Sequence, residues 1–179
     1  MGQIRDFVKE KLVIPVLSTF PEGEGEMKRL LSAAFGDIDF ESPRIPFEYT
    51  DYYVPEMGGG IERFFLSFDR LVDPSRLPGI KIETNRIEDR LAAEGRRRIN
   101  LDPGLLSLSR FILATTKDYS HRIPLSGGIY AEITLVYRNG GFEPLSWTYP
   151  DYATNEYRAV LRNIRERYAA QLRAQAKRG

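Results

Sequence analysis

Apolar residues fill the run Lys11-Leu12-Val13-Ile14-Pro15-Val16-Leu17-Ser18, which has strand length and ends at the polar loop Pro21–Gly25. The pattern predicts a buried strand. The spacing then changes: Met27, Leu30, Leu31 and Ala34 recur as one stripe of an amphipathic helix. Glu22, Glu24 and Glu26 stand where a helix start favours negative charge, and Gly36 is a natural stop. Asp37–Glu41 reads as a second strand, Pro43–Gly60 as a turn-rich aromatic stretch, and Ile61–Phe68 as a third strand. Asp73-Pro74 supplies a cap and a first-turn proline for a helix carrying Leu77, Ile80, Thr84, Ile87 and Leu91, with Pro78-Gly79 expected to interrupt its first turn. Further strands are expected at Arg96–Leu101, which ends in the turn Asn100–Gly104, and at Leu108–Thr116 and Ile129–Arg138. In the last of these, Ile129, Ala131, Ile133, Leu135 and Tyr137 alternate as though facing one way. Asn139-Gly140 signals a tight hairpin into a short strand ending at Leu145. A closing helix over about 154–175 places Tyr157, Val160, Leu161, Ile164, Tyr168 and Leu172 on one face, with arginines largely off it.

These elements predict a single α+β domain over residues 1–179. Its mainly antiparallel sheet carries packed helices, as an extended ferredoxin-like core plus a C-terminal amphipathic helix. A chain of 179 residues with 42% hydrophobic content can bury a core without staples. It contains no cysteine, which excludes disulfides, zinc-thiolate sites, iron–sulfur clusters and cysteine nucleophiles. The apolar run Leu12–Leu17 is far short of the roughly 20 residues of a membrane span. No signal-peptide pattern opens the chain, so no membrane partner and a cytoplasmic address are expected. The net charge of +1 hides a division, because Arg158–Gly179 holds seven basic residues and one acid, Glu166, behind a net acidic body. Such an end could dock on the body, on nucleic acid or on another subunit, and solvated charge with no partner is the commonest outcome for such a segment.

Candidate chemistry gathers at the predicted turns. His121 is the one histidine, suited to proton transfer, and Lys117, Asp118 and Arg122 flank it. Arg96 and Arg98 in a strand would share one side and could grip a phosphate or carboxylate. Glu132 interrupts an apolar strand and must face solvent, a partner or a site. Asp51, Asp102, Asp118, Glu132 and Asp151 could converge at one end of the sheet, where three carboxylates would hold magnesium for phosphoryl chemistry. Turn formation alone would also explain Asp102, Asp118 and Asp151. Tyr49, Tyr52, Tyr53, Tyr119, Trp147, Tyr149 and Tyr152 sit in the same segments, either as base-stacking platforms or as an aromatic satellite core. Neither a P-loop nor the Rossmann glycine fingerprint occurs.

The segments Thr50-Asp51-Tyr52-Tyr53, Asn100–Gly104, Thr116-Lys117-Asp118 with Ser120-His121-Arg122, Tyr130-Ala131-Glu132 and Thr148–Tyr152 stand in an order covering nearly the whole chain. Together they resemble a prokaryotic domain-of-unknown-function family, number 4416. The resemblance implies no activity and supplies no catalytic residues. Three readings therefore rest on the residues themselves. The first is a pocket for an anionic small molecule, a nucleotide or phosphorylated metabolite, and it leaves catalysis open. Its acid–base candidates are His121, Asp118 and Glu132; its ligand-binding candidates are Asp51, Tyr52, Arg96, Arg98, Asn100, Lys117, Arg122, Tyr149 and Asp151. The second is an RNA- or nucleotide-binding module without catalysis, using tyrosines and the basic C-terminal helix. The third is a structural or assembly protein without a ligand.

Overall fold

The computed structural model describes residues 2–177; Arg178, counted above in the basic end, lies outside them. The fold is α+β, with ten strands in one antiparallel sheet and four α-helices. In chain order these are β1 (Glu10–Ser18), α1 (Glu24–Phe35), β2 (Ile38–Glu41), β3 (Ile45–Pro46), α2 (Val54–Met57), β4 (Glu62–Val72) and α3 (Leu77–Leu91). They continue as β5 (Ile99–Leu101), β6 (Gly104–Leu106), β7 (Arg110–Thr115), β8 (Ile123–Pro124), β9 (Tyr130–Arg138), β10 (Gly141–Pro144) and α4 (Asn155–Ala176). Across the sheet the order is β10-β9-β7-β6-β1-β4-β2, with β3 on β4, β5 on β1 and β8 on β9.

Both faces of the sheet are covered, which is why β1 reads as an almost unbroken apolar run. Leu12, Ile14 and Val16 of β1 and Phe64, Leu66 and Phe68 of β4 pack with Met27 and Leu31 of α1 and Ile80 and Ile87 of α3. Their neighbours Val13 and Phe65 face the other way, joining Leu106, Phe111 and Leu135 under Tyr157, Leu161, Ile164 and Tyr168 of α4. The basic helix is fastened to the body. Arg165 Nε donates to the Leu108 carbonyl at 2.8 Å, Arg158 to that of Phe142 at 3.1 Å, and the Tyr168 hydroxyl to that of Lys9 at 2.8 Å. Of the destinations open to this segment, α4 takes the first. No helix among the described residues is long and apolar enough to cross a membrane.

Several expected details change. α3 starts at Leu77, after a 3-10 turn over Pro74–Arg76, so Pro78 falls in its first turn, where no backbone N–H is needed, and does not interrupt it. Asn139 and Gly140 do adopt positive φ (50° and 82°), and Arg138 pairs with Gly141 as the hairpin signal requires. The alternation along β9 does not keep one side. Phe111 pairs with Leu135 but Ile112 with Ile133, so Thr134 bulges out and the parity flips. Ile129 and Ala131 thus pack on the α1/α3 face, whereas Leu135 and Tyr137 lie under α4. The bulge leaves two carbonyls free of the ladder, and the loop before α4 covers them. Trp147 Nε1 donates to Ile133 at 2.9 Å and Thr148 Oγ1 to Thr134 at 2.5 Å.

One irregularity positions the site. β5 and β6 are halves of a broken strand, pairing with β1 at Val16–Ser18 and at Lys11–Val13 respectively. Pro103, which has no N–H to donate, stands in the break. β7 follows β6, makes one more bond from Ala114 N to the Pro103 carbonyl (3.0 Å), and from there pairs only with β9. The sheet therefore forks, with β5 staying beside β1 while β7 and β9 diverge. Gly104 marks the start of the close contact. A Cβ there would meet the Ile112 carbonyl oxygen at 2.4 Å and the Phe111 ring at 2.8 Å. Gly104→Ala is expected to cost about 1–3 kcal/mol in urea unfolding, the scale of an overpacked core position. A change indistinguishable from zero would show that this pairing is loose.

Candidate functional site

The fork opens into a cleft of about 580 Å³. Its depth is built by strand residues: Arg63 of β4, Asn100 of β5, Glu132 of β9 and, just before α4, Asp151 and Tyr152. These five are 2–5% exposed. The mouth is formed by Tyr49 and the 3-10 turn Asp51–Tyr53 that follows it, and by the segments after β7 and before α4, which contribute Lys117 and Tyr149 beside Tyr52 of the turn. Glu132 reaches the cleft because it lies before the β9 bulge, cross-strand from Leu113, which lines the same space.

Charges in the cleft are held in place by one another. Arg63 lies 3.2 Å from Asp102 and 3.6 Å from Asp151, with its guanidinium 5.3 Å from the centre of the Phe47 ring. Glu132 Oε2 receives Arg122 Nε and contacts His121 Nε2, each at 2.9 Å. Arg122 also donates to the Tyr149 hydroxyl at 2.6 Å and to the Lys117 carbonyl at 2.9 Å. Arg97 joins Glu56 (2.7 Å), Glu88 (3.2 Å) and Asn100 Oδ1 (2.7 Å). Lys117 Nζ donates to the Tyr52 hydroxyl at 2.9 Å and, among the described residues, has no carboxylate partner. Among the described residues, four buried polar atoms of the lining have no hydrogen-bond partner: Arg63 Nε, Asn100 Nδ2, Glu132 Oε1 and the Tyr152 hydroxyl. Buried polar atoms are nearly always satisfied, and an orphan costs about 1–3 kcal/mol. All four belong to residues that line this cleft, while Glu10 Oε2 and the Tyr157 hydroxyl are unpartnered on residues outside its lining.

Burial pushes the Tyr152 phenol up, so its hydroxyl keeps its proton as a donor. At Asp102 burial works upward, but Arg63 and Lys81 outweigh it and the carboxyl is held below its usual range. Glu88, which accepts the Leu101 N–H at 2.7 Å, is pushed by burial up to about 7 against Lys81 and that backbone bond. A carboxyl raised on folding stabilises fully below its unfolded value, and that contribution is lost as pH rises through the folded value. Between the ordinary glutamate value and about 7 it should remove up to ~3 kcal/mol. Glu88→Gln is expected to flatten the decline in unfolding free energy across this window. Parallel curves for the two proteins would contradict the assignment.

Of the residues proposed from sequence, Tyr52, Asn100, Lys117, Arg122, Glu132, Tyr149 and Asp151 line the cleft. Five do not. His121 sits behind Glu132, stacked on Trp147 with ring centres 5.1 Å apart. Asp118 is exposed and Asp51 opens the 3-10 turn, neither lining the cleft. Arg96 and Arg98 do share a side, but the extended run is only Ile99–Leu101 and the tight turn at Glu94-Gly95 aims them elsewhere. They line a separate hollow beside α2, where Arg98 lies 3.5 Å over the Phe20 ring. Arg97, facing the opposite way, takes the place expected of them.

The convergence of acids for magnesium is also revised. Asp102 and Asp151 share Arg63, Glu132 is held by Arg122, and no group of three candidate ligands forms among the described residues. Sequence reasoning missed Arg63. The signal was there, since a charge beside Phe64-Phe65 in an apolar strand is the same anomaly that singled out Glu132.

A family model described as Domain of unknown function (DUF4416) matches residues 8–168. No curated protein and no solved structure matches the chain.

Proposed function

The chain belongs to the DUF4416 family, and from the cleft at its forked sheet we propose that it binds an anionic small molecule, a nucleotide or phosphorylated metabolite. The observation that carries this is the set of four unpartnered polar atoms in a space of about 580 Å³. That volume lies within the roughly 300–1,000 Å³ usual for small-molecule sites. Cations outnumber carboxylates in the lining, with Arg63, Lys81, Arg97, Lys117 and Arg122 against Asp102, Glu132 and Asp151. Acid–base chemistry in this proposal falls to Glu132, whose free Oε1 can accept a proton while Oε2 is held. His121 acts through Glu132 as a positioning residue, and Asp118 has no part. A cytoplasmic setting belongs to the same reading, because phosphorylated metabolites are found there.

The chain order β1-α1-β2-β4-α3-β5/β6 and the sheet order β6-β1-β4-β2 support the finer reading of an extended ferredoxin-like core. RNA binding through α4 has less support, since Arg158 and Arg165 already engage the body.

Thermal melts against nucleotides and phosphorylated sugars, each with and without magnesium, test the proposal. A binder at a hundredfold excess over Kd adds about 2.7 kcal/mol, or roughly 5–11 °C for a chain of this size. No shift with any compound would leave the polar turns as structural and favour the assembly reading.

A further inference from the structure

Resting on the proposal above, we infer that the ligand is a nucleoside monophosphate, its uncharged head in the depth of the cleft and its single phosphate at Lys117. The cations of the depth are already engaged, Lys81 by the Leu101 carbonyl at 2.8 Å. Arg63 is taken by Asp102 and Asp151, Glu132 by Arg122, and Arg97 by Glu56 and Glu88.

What the depth lacks is hydrogen bonds of both kinds. Among the described residues Arg63 Nε, Asn100 Nδ2 and the Tyr152 hydroxyl are donors without acceptors, and Glu132 Oε1 is an acceptor without a donor. Arg63 and Glu132 are 2% exposed and Asn100 3%. A phosphate group, which offers acceptors, cannot satisfy Glu132 Oε1 and would be repelled by it. A nucleobase edge presents donors and acceptors side by side and carries no charge, so its chemistry suits this mixed set. The anionic end must then find its cation at the mouth. There Lys117 is exposed, bonded to the Tyr52 hydroxyl, and among the described residues it is the one cation of the lining that neither pairs with a carboxylate nor donates to a backbone carbonyl from a buried position. One such lysine matches one phosphate group.

Calorimetric titration of the whole chain with the common nucleosides, their 5′-monophosphates and 5′-triphosphates, sugar phosphates and inorganic phosphate separates the alternatives. One monophosphate is expected to bind about tenfold more tightly than its nucleoside, the size of one hydrogen bond to a charged group. The triphosphate should gain nothing further. Lys117→Ala should bring the monophosphate to the level of the nucleoside and leave the nucleoside itself unchanged, while Lys117→Arg keeps the preference. Tightest binding by inorganic phosphate, a sugar phosphate or a triphosphate overturns this inference and leaves the anionic-ligand proposal standing. So does a Lys117→Ala variant that weakens nucleoside and monophosphate equally. Binding by none of the compounds overturns both.

Discussion

Arg63→Ala is expected to lower the melting temperature by roughly 6–20 °C, from a loss of about 3–5 kcal/mol when one partner of a buried ion group is removed. Arg63 is 2% exposed and lies within 4 Å of both Asp102 and Asp151. Without it the two carboxylates lose their shared cation, and Lys81 is left acting on Asp102. Arg63→Lys should recover only part of the loss, because an ammonium cannot span both acids as a planar fork does. The sign of the pH dependence follows from Asp102. Its carboxyl is held low in the folded chain, so its stabilising contribution is present above the unfolded value and is lost as pH falls through the folded one. The gap between the parent chain and Arg63→Ala should therefore narrow toward acid. A loss no larger than that of Arg86→Ala, whose side chain is 72% exposed, would show that the guanidinium contributes nothing special.

Glu132→Ala is the second large effect, at roughly 3–5 kcal/mol by the same reasoning. The lower end is expected, because Arg122 keeps the Tyr149 hydroxyl and the Lys117 carbonyl when the carboxylate goes. Glu132→Gln preserves shape and one acceptor and should cost far less. The two variants part company in stability but not in binding, since the amide no longer offers a carboxylate oxygen to the cleft. Urea unfolding of both variants gives the first comparison, and the ligand titration gives the second. Equal destabilisation by alanine and glutamine would mean that the carboxylate charge facing Arg122, and not the shape and acceptor that glutamine keeps, holds this corner together.

The parts of the fold legible in the sequence are those set by local periodicity. β1, α1 and the Asn139-Gly140 hairpin follow from spacings and turn chemistry contained within a few residues. α4 differs from the expected 154–175 by one residue at each end. The fork was not legible, because it depends on which distant strands flank β5 and β6 as well as on Pro103. The β9 bulge was hidden for the same reason: Ile129 to Tyr137 alternate perfectly in sequence, and only the pairing with β7 shows the flip. Within the cleft, Glu132 is legible as a charge in an apolar strand. Arg63 is the same anomaly, masked by the phenylalanines beside it. Arg97 lost out to Arg96 and Arg98 because the face of a short strand is chosen by the turn before it, here the positive-φ pair Glu94-Gly95.

The most direct measurement is a crystal structure of the chain grown with a mixture of 5′-nucleotides. The expected result is a ligand in the fork between β5 and β7, within hydrogen-bond distance of Asn100 Nδ2, Arg63 Nε and Glu132 Oε1. A cleft holding only water molecules that satisfy those same atoms, with the nucleotides absent or bound elsewhere, would contradict it.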